Sequence, residues 1–391
     1  MFSSYTYANL KDDLTGLVGG TDLAKIQNLN QLVQRAGRRV IANIDPPTTK
    51  RRYLITLYDQ VNDYSVPSDD DFKKAFDLRP QNNRSLLDNF SEYFSEQFDI
   101  RKTNLDALLS NDWRDGTQFF RIKRTLDSRA VTLNAFESLT ANGTWAAVSG
   151  GGASNLGTNT LYKTKGSASV EFDVGATGGA IDNSTMTQVD LTNHDEVSSL
   201  FLDLFIPTGF TISDLTSVTL RWGNDSSNYW SRTITAPHFG SFNNGWNLLR
   251  FDWNGATETG TVDPATIDYV RITVTTTAAD TDFKADNLVS RLGYIYELWY
   301  YSKFLFRTSS GTWQDTISDN ADIINLDVDD RNLLVYECED EMGKQLRDDD
   351  MRDEVREELY GIPGQKMGHY AKFKADHPSE GFKKKGVYYR I

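Results

Sequence analysis

Side chains able to do covalent or acid–base chemistry are few and scattered in this sequence. One cysteine, Cys338, and four histidines, His194, His238, His369 and His377, are spread over 391 residues. A lone thiol closes no intrachain disulfide and supplies no paired-thiolate zinc site. Cys338 lies in a helical pattern among apolar residues, where a small core side chain fits better than a nucleophile. The glycine runs Gly150-Gly151-Gly152 and Gly178-Gly179 precede no helix that could bind phosphate, so they read as turns. No serine nucleophile elbow is present. Acidic triplets stand at Asp69-Asp70-Asp71, read as the start of a short helix, and at Asp348-Asp349-Asp350, read as a helix break. Two carboxylates placed by a fold can hydrolyse a glycoside, but in a chain with 55 acidic residues these read as solvated surface. The sequence nominates no catalytic residue, and a non-enzymatic protein with no required cofactor is expected.

The basic residues form a second candidate feature. Arg35, Arg38 and Arg39 fall on the polar side of a helical pattern, and Lys50, Arg51 and Arg52 follow it. In a ring they could face DNA in the lumen, or they could pair with acidic neighbours. With a net charge of −14, salt bridges are the favoured use, and the acidic C-terminal helix is an obvious partner. The same charge argues against a general nucleic-acid coat, which needs a broad basic surface.

Three zones must position these residues. From the start to about Arg129, helical and strand signals mix. Thr21 caps an expected helix through DLAKIQNLNQLVQRAGRRVIANI, whose apolar residues recur at spacings of three and four, and Pro46-Pro47 end it. YLITLYDQVNDYSVP reads as two extended segments, LLDNFSEYFSEQF as an aromatic helix or turn, and LLSNDWRDGTQFFRIKR as a hairpin turning at Asp115-Gly116. From about Asn134 to Arg291 the chain reads as all-β. SASVEFDV, SSLFLDLFIP, SVTLRWG, YWSRTITA, WNLLRFDW and DYVRITVT lie between Gly, Asn, Asp and Ser turns, the pattern of a sandwich or jelly roll. From Leu292 a second hairpin, turning near Ser309-Ser310-Gly311, is followed by charged helices and a basic-aromatic tail, HPSEGFKKKGVYYRI. The strands TQFFRIKR and YELWYYSKFLF, on either side of the middle zone, read as parts of one sheet. The expected class is therefore α+β: a discontinuous helical and β-hairpin scaffold (1–133 and 292–391) interrupted by an inserted all-β jelly-roll sandwich (134–291).

Composition sets the class limits. Aromatic residues make up 12% of the chain, with eight Trp, too many for a disordered sequence. The start, MFSSYTYANLKDD, lacks the pattern of a signal peptide, and no window approaches the roughly 18 apolar residues of a membrane span, so no membrane insertion is expected.

Within the middle zone, Phe136-Glu137-Ser138, Gly143-Thr144-Trp145 and Lys165-Gly166-Ser167-Ala168-Ser169-Val170 open the expected sandwich, and Asp286-Asn287-Leu288-Val289 closes it. This pattern resembles the jelly-roll carbohydrate-binding modules. The resemblance implies a structural Ca²⁺ held in part by an early acidic side chain and the last-strand aspartate, here Glu137 and Asp286; the alternative is that both simply cap strand ends. Sugar contact needs exposed aromatic faces. Trp222, Tyr229 and Trp230, near the turn RWGNDSSNYW, are the candidates, against the alternative that sandwich aromatics fill the core.

The two chain ends carry a wider resemblance. TDLAKIQNLNQLVQRAGRRVIANIDPPTTKRRYLI with YDQVNDYSVPSD, and YYSKFLFRTSSGTWQDTISDNADIINL with the charged helical segment, are similar to tailed-bacteriophage virion proteins of the head–tail connector or adaptor kind. That resemblance implies a homo-oligomeric ring at the neck of a virion assembled in the host cytoplasm. Its partners would be portal and tail or neck proteins, with packaged DNA in the lumen and host-surface glycans as further candidates. The second reading is a capsid decoration or tail/baseplate protein with a glycan-binding sandwich; the third is a glycan-active enzyme with a targeting module.

Overall fold

The computed structural model describes residues 5–58, 61–66, 71–80, 109–114, 117–122, 130–194, 197–328 and 330–376. Helix α1 (Tyr7–Val18) opens on a capping box in which Thr6 and Asn9 exchange side-chain and backbone bonds. A single helical turn over Gly20–Leu23 follows, and then α2 (Leu29–Asn43). The helix expected to run unbroken from Thr21 is thus interrupted. Asn28 takes φ 55, a left-handed conformation that asparagine tolerates, and its side chain accepts from Gln31 N to cap a new helix. Leu32, Val33, Ala36, Val40 and Ile41 line the buried face of α2. Gly37 lets that face approach closely, since a Cβ there would stand 2.7 Å from Phe306 Cζ.

Five strands follow: β1 (Lys50–Tyr58), β2 (Asp63–Ser65), β3 (Phe72–Pro80), β4 (Leu109–Arg114) and β5 (Thr117–Ile122). The two extended segments and the β4–β5 hairpin occur as expected, although the hairpin's turn lies outside the described residues. Asp71 starts no helix. It is buried beside β3 and accepts bonds from Arg51, Ser302 and, at 2.8 Å, Tyr300. Asp69 and Asp70 lie outside the described residues.

The sandwich comprises β6 (Val131–Asn134), β7 (Trp145–Ala147), β8 (Ala153–Asn159), β9 (Ser169–Val174), β10 (Gly179–Asn183), β11 (Ser199–Ile206), β12 (Leu215–Gly223), β13 (Tyr229–Ile234), β14 (Gly245–Asp252), β15 (Thr257–Thr259), β16 (Tyr269–Thr276) and β17 (Asp280–Arg291). They form two six-stranded sheets, in orders β15-β13-β12-β16-β10-β7 and β14-β11-β17-β9-β8, the latter with β6 also on β17. Period-2 alternation sends Leu200, Leu202, Leu204 and Ile206 of β11 into one core with Trp222, Phe251, Phe172 and Phe283. The run Gly150–Gly152 forms the turn that leads into β8, as read, whereas Gly178-Gly179 leads into β10. Gly152 and Gly178 have φ 75 and 107, and a Cβ on Gly152 would lie 2.4 Å from Gly178 O. Only glycine permits both the backbone angle and this approach.

In the last third, β18 (Gly293–Ser302) lies between β1 and β3. The expected pairing of this strand with β5 in one sheet is not found, because β5 pairs with β2 and β4. Nor does β18 fold back on the segment after it. The small hairpin is made by β19 (Phe306–Arg307) and β20 (Trp313–Gln314), around Ser309–Gly311. Helices α3 (Arg331–Leu346), α4 (Asp349–Tyr360) and α5 (His369–Asp376) complete the chain, and Asp348 caps α4 by accepting from Met351 N. One apolar cluster joins Tyr7, Leu10, Val33 and Val40 to Phe306, Leu334, Cys338, Met342 and Phe373. The aromatic segment 86–98 and the tail 377–391 lie outside the described residues.

Candidate functional site

Strand register builds the outer face of the second sandwich sheet row by row. Trp246, Phe205, Lys284 and Glu171 are successive cross-strand partners. The next row holds Leu248, Asp203 and Asp286, and the one after it Arg250, Phe201 and Val289. In the first row Phe205 meets Trp246 edge-on at 5.4 Å and Tyr162 at 5.1 Å, and Lys284 Nζ sits 4.9 Å from the Phe205 ring centroid. Lys284 also bonds Glu171 at 2.9 Å, so its buried charge is paired. Trp246 is half-buried and Tyr162 is 51% exposed, which leaves aromatic surface open to a ligand.

The third row is covered. Tyr58 stands edge-on to Phe201 at 5.0 Å, and Ile55, Leu57, Tyr64, Tyr296 and Leu298 close over it as a separate apolar cluster. Between covered and open rows lies a groove of about 530 Å³, lined by Val61–Asp63, Asp203, Trp246–Leu248 and the loop before β14. His238 belongs to that loop and bridges to the N-terminal strands. Its Nε2 lies 2.9 Å from the carbonyl of Asp63, an acceptor, so Nε2 carries the proton and donates. Nδ1 is buried without a hydrogen-bond partner, and burial pushes the imidazole down to about 4.

Asp203 is the acid on the groove floor. Its Oδ2 lies 2.6 Å from Thr164 Oγ1 and accepts from Asn287 Nδ2 at 3.2 Å. Burial, the largest influence, raises its carboxyl above the ordinary range; the bonds from Thr164 and Asn287 oppose the shift and Asp286 adds to it. Asp286 is fully buried and accepts on Oδ2 from Thr164 N at 2.7 Å and Lys165 N at 3.1 Å, while its Oδ1 has no partner. Glu137 holds the other end of the same loop, accepting from Ser167 N at 2.7 Å and from the Ser167 hydroxyl. The Ser167 hydroxyl, followed by the Ser167 backbone bond, holds Glu137 below the usual carboxylate range. The two acids are thus brought to one loop, residues 160–167, at separate points. Among the described residues no three His, Cys, Asp or Glu side chains converge on a metal-sized site.

Other sequence-nominated residues lie elsewhere. Trp222 is fully buried, with Trp253 edge-on to it, and offers no ring face to sugar; Trp230 is partly buried against the same core, with Trp253 tilted against it. Tyr229 is on the outer face of the opposite sheet, with the Arg221 guanidinium 4.7 Å over its ring. The basic residues are consumed within the chain. Arg35 pairs with Glu341 at 3.1 Å, Arg39 with Asp340 at 3.0 Å, Arg52 with Glu297 at 3.1 Å, Arg38 with Asp315 and Arg51 with Asp71. Lys50 lies over the Tyr301 ring at 5.9 Å. Arg35 and Arg39 meet the acidic face of α3, the partner expected for them. Cys338 is wholly buried and its thiol is pushed up by that burial, with Glu337 and Glu341 adding to it.

Trp246, Phe205 and Asp203 were legible by parity. In FLDLF, Asp203 shares a face with Phe201 and Phe205; in WNLLRFDW, Trp246 shares one with Arg250 and Asp252. An aromatic on the charged parity of a core strand faces outward.

No family model matches the chain, and no curated protein sequence matches it. Among solved structures, the chain is similar to the family 11 carbohydrate-binding module from Clostridium thermocellum in complex with a β-1,3-1,4-mixed-linked tetrasaccharide, at 12% identity over 41% of this chain and 94% of that one, with a TM-score of 0.29. It is also similar to a family 30 carbohydrate-binding module, at 12% identity over 43% and 87%, TM-score 0.29. A third is the CBM22-1 xylan-binding domain from Paenibacillus barcinonensis Xyn10C, at 15% identity over 43% and 97%, TM-score 0.28.

Proposed function

We propose that this chain binds glycans through the outer face of its second sandwich sheet and does not turn them over. The observation that carries this is the accessible aromatic pair, half-buried Trp246 and exposed Tyr162, packed on either side of the buried Phe205, beside a groove floored by Asp203. Aromatic faces stack on the apolar faces of sugar rings, and a nearby carboxylate accepts from their hydroxyls. Polar side chains line most of the groove, Asn62, Asn243 and Asn244 among them, and can bond the hydroxyls of a sugar.

Calcium belongs to the same reading. The buried, unpartnered Oδ1 of Asp286 is an oxygen that a hard cation would satisfy, and Glu137 reaches the same loop. Bound Ca²⁺ on Asp286 would pin the 160–167 loop to strand β17. The wider placement rests on the resemblance of the chain ends: a virion structural protein, with the sandwich as its host-facing part. A decoration or tail/baseplate position suits such a face directly. A ring at the neck, with portal and tail partners, is the other placement. Intrachain pairing of Arg35, Arg38, Arg39, Arg51 and Arg52 takes from that placement the DNA-facing cations.

The test is binding of the full chain to immobilised plant and bacterial polysaccharides, read beside Trp246→Ala and Asp203→Ala. At least one glycan should be retained without release of reducing ends, and either substitution should weaken it about tenfold, some 1.4 kcal/mol. Retention unchanged in both variants would move the site off this face.

A further inference from the structure

A second cavity, of about 740 Å³, lies between strand β1 and the sandwich. One wall is the run Tyr53–Thr56 of β1; the other carries Arg232 of β13 with Arg250 and Asp252 of β14. His238 is the one residue common to this lining and that of the groove, so the two cavities are neighbours but separate. The charges in the lining do not cancel. Arg250 Nε lies 2.9 Å from Asp252 Oδ1, so that cation is compensated. His238 is neutral above about pH 4. Arg232 donates from Nη1 to the carbonyl of Gly255 at 2.6 Å, and no carboxylate among the described residues pairs with it. A Cβ on Gly255 would stand 2.8 Å from Nη1, so the turn after β14 fits closely around this guanidinium. The lining therefore holds one uncompensated positive charge, on a planar fork of donors that matches the two oxygens of a carboxylate. A phosphate monoester, at about −1.5 to −2, would be left partly unbalanced. Beside the charge lies open apolar surface, with Tyr53 42% and Leu54 47% exposed. Thr56 and Asn254 add a hydroxyl and an amide to the same lining.

Resting on the glycan reading above, we propose that this cavity is a second sugar site, selective for a residue that carries a carboxylate, as a uronic acid does. The carboxylate pairs with Arg232, the sugar ring lies against Tyr53, and Thr56 and Asn254 meet its hydroxyls. One wall comes from β1 and the other from the sandwich, so the site needs both parts of the chain.

The experiment titrates the full chain calorimetrically with oligogalacturonate and oligomannuronate, with each after chemical reduction of its carboxyls to neutral sugar, and with inorganic phosphate as competitor. At least one oligouronate should bind, and its carboxyl-reduced form should bind about tenfold more weakly or not at all. Arg232→Gln should weaken the oligouronate about tenfold, and raising the salt concentration should weaken it further. Equal affinity for the acidic and reduced forms would overturn carboxylate selectivity without recourse to any variant. Oligouronate binding unchanged in Arg232→Gln would overturn the assignment to this cavity, and displacement by phosphate would overturn a sugar-specific site in favour of a general anion site. If neutral polysaccharides are retained and neither oligouronate binds, this inference falls and the glycan reading stands. If no saccharide binds, acidic or neutral, both fall together.

Discussion

His238 is a neutral imidazole held between the sandwich and the N-terminal strands. Its ring meets Tyr64 at 5.4 Å and Phe201 at 5.5 Å, both edge-on, with Tyr58 at 6.4 Å. Burial is the main reason its pKa falls from 6.5 to about 4, and the Arg250 charge adds to it, with Asp63 and Asp252 opposing. The sign follows from proton counting. Between pH 4 and 6.5 the unfolded chain holds this proton and the folded chain does not, so stability rises with pH across that window. The contribution is fully present above pH 6.5 and is lost as pH falls toward 4, amounting to about 3 kcal/mol at 1.36 kcal/mol per unit. Urea midpoints measured from pH 4 to 8 should therefore slope downward into acid, and His238→Gln should flatten that part of the curve. Equal slopes in the two proteins would show that other groups govern it. Nothing in the sequence around His238 announces this role, because the rings that desolvate it come from positions 58, 64 and 201.

At the scale of elements, the 160–167 loop is the piece whose position decides the site. Glu137 reaches it from a segment where Phe136 is held at φ 55, and Asp286 reaches it from the last sandwich strand. If Ca²⁺ binds there, it binds the folded state alone and must raise the melting temperature. A ligand at a hundred times its dissociation constant contributes about 2.7 kcal/mol. Millimolar Ca²⁺ should thus shift the melting curve upward, a chelator should reverse the shift, and Asp286→Asn should abolish the response. A melting curve indifferent to both calcium and chelator would leave the loop held by its hydrogen bonds alone. The weak motifs around Glu137 and Asp286 pointed to this loop from the sequence. The strands β8 and β10 were not legible in the same way: each is entered from a glycine, Gly152 and Gly178, that sits where two backbones approach closely, and glycine carries no β signal.

On the scale of the whole molecule, the cluster around Tyr58 and Phe201 joins the sandwich to the N-terminal strands and β18. The Tyr58 hydroxyl lies 2.9 Å from Ser199 Oγ, which in turn bonds Asp252 at 2.7 Å. This contact covers one row of the sheet's outer face beside the groove. In the α2–α3 core, Arg39 is spent on Glu337 and Asp340. On a virion, such a protein should present its sandwich where host glycans can reach it. Antibody-gold against residues 134–291, with proteomics of the same particles, should mark the head surface or tail tip. Marking confined to the head–tail junction would instead favour the neck ring, and absence from particles would remove the virion reading.

The sequence alone determined what depends on local periodicity. Alternation over short runs placed most of the sandwich strands, and three-and-four spacing placed the apolar face of α2. Ser-Ser-Gly marked the β19–β20 turn, and charge balance paired Arg35 and Arg39 with the acidic α3. Each of these signals lies within a few residues or in bulk composition. Tertiary structure alone decided which outward-facing aromatics are covered, closing Tyr58 over Phe201 and leaving Trp246 half-buried. Trp222 and Trp230 sit on the inward parity of their strands and fill the core, whereas Trp246 and Phe205 share the charged parity of theirs and face out. It also decided that β18 pairs with β1 and β3 and not with β5. Pairing partners and groove walls are set by contacts between residues more than a hundred positions apart, such as Tyr58 with Phe201 and Thr164 with Asp286. No local pattern encodes a distance of that kind, because it is the closing of the whole chain on its cores that brings those side chains together.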